Sequence, residues 1–327
     1  MHRLLPFLLL ILAVIPSSRH GIRPVLGRDA RMTATPVPLD PGDPVHVRVG
    51  ALTYLGGVRL TSPDPAFGSF SAMLVAGDRF TLVSDAGNIV RFRMGGDWKP
   101  FDLSFADLAE GPATQWSKRD RDVESLAADP ASGRIWAGFE DSNSIWRYDS
   151  DLVHAQRSAR PPGMADWGYN GGPESLVRMR EGGFVAIAET ARLRGVRGRA
   201  ALRFAGDPTE APGRAFAFAY VPPAGYDPSD AVQLPDGRLL VLNRRVAPGE
   251  MFTARLTLVE TAAIRPRAVA SGREIAAIGP PLTRDNFEAM AVTREAGRTI
   301  LWIASDDNGA WYQQSLLMKF RLELPAR

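Results

Sequence analysis

One short pattern returns along this 327-residue chain and limits what it can fold into. An acidic residue, a small one and an apolar one follow in that order in Glu124-Ser125-Leu126, Glu174-Ser175-Leu176, Asp230-Ala231-Val232 and Glu288-Ala289-Met290, and Ser71-Ala72-Met73 lacks only the acid. Successive copies lie 53, 50, 56 and 58 residues apart. After each comes a turn (Gly77-Asp78, Ser132-Gly133, Gly182-Gly183, Asp236-Gly237, Ala296-Gly297) and then a second apolar run that ends in polar residues. Tight hairpins need such turns. A period of this length, filled with short strands and without helical periodicity, specifies an all-β chain folded as a β-propeller, because each unit can bury its faces only against its neighbours.

The five repeats imply five blades. The last repeat runs out at Arg327 after three strands, while residues 45–60 precede the first repeat with strand-like composition. An N-terminal strand from that segment is expected to lie beside Ser315–Leu322, closing the ring and hiding two sheet edges. Six blades are the alternative, if residues 199–220 form one of their own.

Ahead of the repeats, Leu4 to Ile15 is an apolar run of 12 residues behind Met1-His2-Arg3. A membrane span needs about 20 such residues, so residues 1–20 read as an export signal. An uncleaved leader is the one expected contact with a membrane, and the destination is periplasmic or extracellular. Residues 21–44 carry five prolines and read as an extended linker. The propeller is then expected over residues 45–327. The 39 basic residues barely exceed the 36 acidic ones and do not cluster. No nucleic-acid footprint follows from that balance. Absence of cysteine removes disulfides, thiolate metal sites and a cysteine nucleophile.

In a propeller the first strand of each blade lines the central channel, so Glu124, Glu174, Asp230 and Glu288 should converge at one mouth. Gathered carboxylates must take up protons, pair with arginine or hold a cation. A hard cation answers economically, and calcium accepts six to eight oxygen ligands with no need of histidine or cysteine. For each acid taken singly, the competing reading is a turn residue that accepts backbone hydrogen bonds and fixes its blade. Asp85, Glu140, Glu189, Asn243 and Asp306 end the second strands at the same rim, and Asp85 and Glu189 are the candidate bases. Arg244 and Arg245 are the candidate substrate contacts, since guanidinium groups bind phosphate in a bidentate manner. A serine hydrolase is disfavoured. Gly68-Ser69-Phe70-Ser71-Ala72 fails the nucleophile pattern at its last position, and only His46 and His154 lie outside residues 1–20.

The stretches Phe67-Gly68-Ser69-Phe70-Ser71-Ala72-Met73, Val83-Ser84-Asp85-Ala86-Gly87, Asp122-Val123-Glu124-Ser125-Leu126, Gly171-Gly172-Pro173-Glu174-Ser175-Leu176 and Asn286-Phe287-Glu288-Ala289-Met290 resemble the phytase-like family, whose bacterial members are described as having esterase-like activity of phytase. The resemblance spans about residues 46–323. It implies an exported propeller related in style to calcium-dependent phytases, acting on a small ester or phosphoester; a monomer is expected. A non-catalytic propeller that binds a ligand or protein at the same mouth is the alternative.

Overall fold

The computed structural model describes residues 22–114, 116–168 and 171–324. The expected export signal lies outside the described residues. Among the described residues, all regular structure is β apart from three short 3-10 helices, and no helix is long and apolar enough to cross a membrane.

Before the first blade come β1 (Thr33–Pro36), β2 (Arg48–Val49) and β3 (Leu52–Thr61). The first blade is β4 (Phe70–Ala76), β5 (Arg79–Ser84), β6 (Asn88–Met94) and β7 (Pro100–Asp107). The second is β8 (Val123–Asp129), β9 (Arg134–Phe139), β10 (Ser144–Tyr148) and β11 (Ala155–Ala159). The third is β12 (Pro173–Arg178), β13 (Phe184–Ala188), β14 (Arg199–Phe204) and β15 (Ala215–Val221). The fourth is β16 (Asp227–Gln233), β17 (Leu239–Ala247) and β18 (Met251–Val259), completed by β20 (Arg273–Ile278), while β19 (Val269–Ser271) joins the outer edge of the third in parallel. The fifth is β21 (Asn286–Glu295), β22 (Arg298–Asp306) and β23 (Ser315–Leu322), with β3 and β1 as its outer strands.

The ring therefore has five blades and closes as the sequence implies, with β3 paired antiparallel to β23 from Ser315↔Leu60 to Leu322↔Leu52. Residues 199–220 supply the two outer strands of the third blade and not a sixth one. The proline-rich stretch is not a free tether. Thr33–Pro36 pairs with Thr61–Val58, and Leu26, Met32 and Leu39 are buried against the propeller. The prolines are compatible with this because β1 is an edge strand, where a missing N–H costs no ladder bond.

Five apolar clusters fill the five spaces between blades. Leu240, Leu242 and Leu256 meet Phe287, Ile303 and Met318, and Phe80, Leu82 and Val90 meet Ala289, Trp302 and Leu317. Ala127 and Trp136 meet Leu176 and Phe184; Val177 and Val185 meet Ala231 and Val241; Ala72 and Val83 meet Val123 and Ala137. Alternation along each strand thus supplies one face to each neighbour. The inner strands β4, β8, β12, β16 and β21 touch in cyclic order around the axis.

Polar pins cross the same seams. The Ser71 hydroxyl donates to the Val123 carbonyl, Ser125 to Pro173 and Ser229 to Phe287. Arg121 is wholly buried, and donates to the carbonyls of Leu108 (2.8 Å), Ala109 (2.9 Å), Pro112 (2.7 Å) and Asp120 (2.8 Å). It holds the link from the first blade to the second. Arg121→Met would strand those carbonyls, so urea unfolding should show a loss of about 3 kcal/mol or more. A loss under about 1 kcal/mol would contradict that role.

Candidate functional site

Every inner strand carries a one-residue bulge near its start. The register skips Ser71 between Phe70↔Ser84 and Ala72↔Val83, Glu124 between Val123↔Phe139 and Ser125↔Gly138, and Glu174 between Pro173↔Ala188 and Ser175↔Ile187. It skips Ser229 between Pro228↔Asn243 and Asp230↔Leu242, and Glu288 between Phe287↔Ser305 and Ala289↔Ala304. The extra residue leaves the ladder and is re-aimed. Glu124, Glu174 and Glu288 thereby come within electrostatic reach of one another at the mouth.

Asp230 does not join them. It stands one residue past the bulge, at the place of Ser125 and Ser175, and accepts from the backbone N–H of Met290 (2.6 Å) and Ala231 (2.7 Å). Burial raises its pKa well above the carboxylate range, and these two hydrogen bonds oppose the rise. Its role is to pin the fourth blade to the fifth, the blade-fixing alternative. The second row shifts likewise: the residue after the paired Ser84, Phe139, Ala188, Asn243 and Ser305 is Asp85, Glu140, Glu189, Arg244 and Asp306. Arg244, not Asn243, stands with the acids. Asn243 is buried and accepts from the Tyr220 hydroxyl (2.8 Å).

The structure brings Asp85, Glu189, Glu124, Glu174 and Glu288 together with Asp122, Glu140 and Asp306. Ligand atoms of Glu140, Glu174 and Glu189 lie within 4.8 Å of one another, as do those of Asp122, Glu140 and Asp141. Gly172 permits this approach, because a Cβ there would sit 2.5 Å from the Glu140 Cα. Glu174 is 4% exposed, and among the described residues its carboxylate has neither a hydrogen bond nor an ion pair. Burial, followed by the charges of Glu189 and Glu140, pushes its pKa well up. Glu124 and Asp122 are raised by the same two causes, burial first.

Three cations answer these charges. Lys118 pairs with Asp85 Oδ2, while Asp85 Oδ1 is buried without a partner. Burial raises the Asp85 pKa against the pull of Lys118. Arg119 Nε reaches Asp141 Oδ2 at 2.8 Å. Arg244 reaches Glu189 Oε1 at 2.7 Å and Glu288 Oε1 at 3.4 Å. It is therefore engaged with protein carboxylates and is not a waiting phosphate receptor. Arg245 leaves the mouth altogether: it is the next residue along β17, faces the other way, lies over the Tyr226 ring at 5.9 Å and pairs with Glu250 at 3.8 Å. Trp167, in the loop ahead of β12, is buried among Met164, Phe184 and Leu202.

Sequence reasoning passed over Asp122 and Lys118. Asp122 precedes the bulge of the second blade by two residues, and the Glu140 N–H donates to its carbonyl at 2.9 Å. Lys118 opens a 3-10 helix capped by Ser117 in the loop before β8, where no repeat pattern marks it. Aligning the repeats on Pro173 and Pro228, which both precede the bulge, would have matched Ser229 to Glu174 and corrected the fourth blade.

The chain matches the model of the phytase-like family, described as esterase-like activity of phytase, over residues 65–309. No curated protein matches it. Among solved structures, the endo-arabinase of Bacteroides thetaiotaomicron is similar with TM-score 0.50 at 13% identity, covering 82% of this chain and 98% of that one. A luciferin-regenerating enzyme gives TM-score 0.46 at 12% identity over 93% and 94%, and the Myxococcus xanthus glutaminyl cyclase 0.45 at 12% over 79% and 92%. At such identities the likeness to the endo-arabinase concerns the fold alone.

Two measurements test the site. Glu174→Gln removes a buried charge, so it should raise the melting temperature in chelator while weakening calcium binding by about tenfold or more. Asp230→Ala should lower the melting temperature and leave calcium affinity within about threefold, since it strips two backbone partners far from the cluster. The pH dependence has a defined sign. Glu174, Glu124 and Asp122 have folded pKa values above their unfolded ones, so the folded state holds protons that the unfolded chain has released. Stability in chelator should then fall as pH rises from about 5 to about 8, and saturating calcium should suppress that fall. His46, raised by Asp40, adds a fall of the same sign that calcium leaves unchanged. A melting temperature whose pH slope is indifferent to calcium would contradict this account.

Proposed function

The chain belongs to the phytase-like family, and from that premise we propose that it hydrolyses a small ester or phosphoester at the acidic mouth of the propeller, with calcium held by Glu140, Glu174 and Glu189. The observation that carries the reading is the Glu174 carboxylate, on a buried residue, which among the described residues has no hydrogen bond or ion pair and lies beside two further carboxylates. Proteins do not leave such a group uncompensated without cause. The donor set fits a hard cation, being all oxygen, with Asp122 and Asp141 extending it through Glu140.

A divalent cation there supplies polarisation of the ester oxygen and a lowered pKa for a neighbouring water. The protein's own residues supply the rest. Glu189, at first a candidate base, is better placed as a ligand, because Arg244 holds its Oε1 and a carboxylate oxygen of Glu189 lies within 4.8 Å of those of Glu140 and Glu174. Asp85 remains the proton acceptor: Lys118 fixes its Oδ2, Oδ1 has no side-chain partner among the described residues, and burial raises its pKa, which makes it the stronger base. Arg192 and Arg194, exposed on the β13–β14 loop at the same rim, are the groups left to meet an anionic substrate. Residues 1–20, read as an export signal, would deliver the protein to the periplasm or beyond.

Turnover of p-nitrophenyl phosphate and p-nitrophenyl acetate, measured before and after chelation, tests the proposal. Activity should fall more than about tenfold in chelator and return with calcium. Asp85→Asn should lower kcat by about a hundredfold while calcium affinity holds. Undiminished turnover without calcium would overturn the cation's part. Calcium binding with no turnover of either ester would favour the non-catalytic, ligand-binding propeller.

A further inference from the structure

We infer that Arg244 is a resident counter-charge standing where a second divalent cation would otherwise sit, so that the protein binds one such ion, on the side of the second and third blades. The inference rests on the reading of a cation at Glu140, Glu174 and Glu189, and extends it to how the rest of the mouth is neutralised.

Register makes the first argument. Arg244 occupies the position that carries an acid in the other four blades, namely Asp85, Glu140, Glu189 and Asp306. The fourth blade also replaces the bulge glutamate by Ser229, so it contributes a positive charge and no negative one to either row. Geometry makes the second. The guanidinium reaches Glu189 Oε1 at 2.7 Å, Glu288 Oε1 at 3.4 Å and Asn286 Oδ1 at 3.3 Å, while Asn286 Nδ2 donates to Glu288 Oε1 at 2.7 Å. It thus gathers carboxylates from two blades and an amide oxygen around one positive centre, a donor set that would suit a hard cation. Burial works against its charge, yet Glu288, Glu189, Glu174 and Glu124 raise its pKa, so it stays ionised.

The two halves of the mouth differ accordingly. On the side of the fourth, fifth and first blades, Arg244 pairs with Glu288 and reaches across to Glu189 of the third, and Lys118 pairs with Asp85. Toward the second and third blades Glu174 has no such partner among the described residues. A fixed guanidinium cannot be displaced by substrate or chelator, so only the unanswered half exchanges ions.

Calcium titration calorimetry on the full chain, with native mass spectrometry for stoichiometry, tests this. The protein should bind one calcium. Arg244→Gln removes the charge and should admit a second ion per chain; Arg244→Lys keeps the charge and should bind one. Two or more ions on the unsubstituted protein, or a single ion on Arg244→Gln, would overturn the inference while leaving the proposed cation site standing. No calcium on the unsubstituted protein would overturn both. Should Arg244→Gln fail to fold, the count on the unsubstituted protein and on Arg244→Lys still decides, since either can return two.

Discussion

The bulge at the head of each inner strand is the constraint on which the mouth depends. A regular strand sends alternate side chains to its two faces, and in this ring both faces are taken up by neighbouring blades. One extra residue per strand escapes that alternation. Where it is glutamate, as at 124, 174 and 288, the fold forces like charges together; where it is serine, as at 71 and 229, the hydroxyl pins the next blade instead. Position in the ring and residue type thus divide the same backbone device between chemistry and assembly.

That division explains which parts of the structure the sequence made legible. The period, the hairpin turns and the closing strand were readable because apolar alternation and turn residues act locally and repeat. The residues 21–44 were misread because proline content marks extended chain without saying whether an edge strand waits for it; β3 does, and Leu39 goes under cover. In the fourth blade, Asp230 and Asn243 were each placed one residue out of step. Small and acidic residues adjoin there, and a pattern of three residues cannot count a bulge. A one-residue slip in a strand exchanges its faces, which is why the reading set Asp230 at the mouth and not in a blade seam, and put Asn243 in the row where Arg244 stands.

Burying carboxylates against one another opposes folding, and the molecule answers with three kinds of compensation. Backbone N–H groups satisfy Asp230 and help to satisfy Asp285, whose pKa burial still lifts to about 6. Side-chain cations satisfy Asp85, Asp141, Glu189 and Glu288. Glu174 takes no hydrogen bond or ion pair among the described residues, and only the charge of Arg244, already paired elsewhere, eases its burial. The first two are built into the chain and permanent, so any exchangeable component has to act at the third.

Permanence also bears on substrate. Arg244 and Lys118 are the inward cations that a phosphate would seek, and both are already spent on carboxylates. An anion entering the mouth would have to displace a charge-assisted pair or meet Asp85, Glu124 and Glu288 head on, and in an enclosed site of low dielectric that repulsion is strong. An uncharged ester faces neither penalty. The exposed arginines of the β13–β14 loop can meet an anionic group only at the rim, so a phosphoester, whose charge lies on the very group to be cleaved, reaches the mouth only where a bound cation offsets those carboxylates.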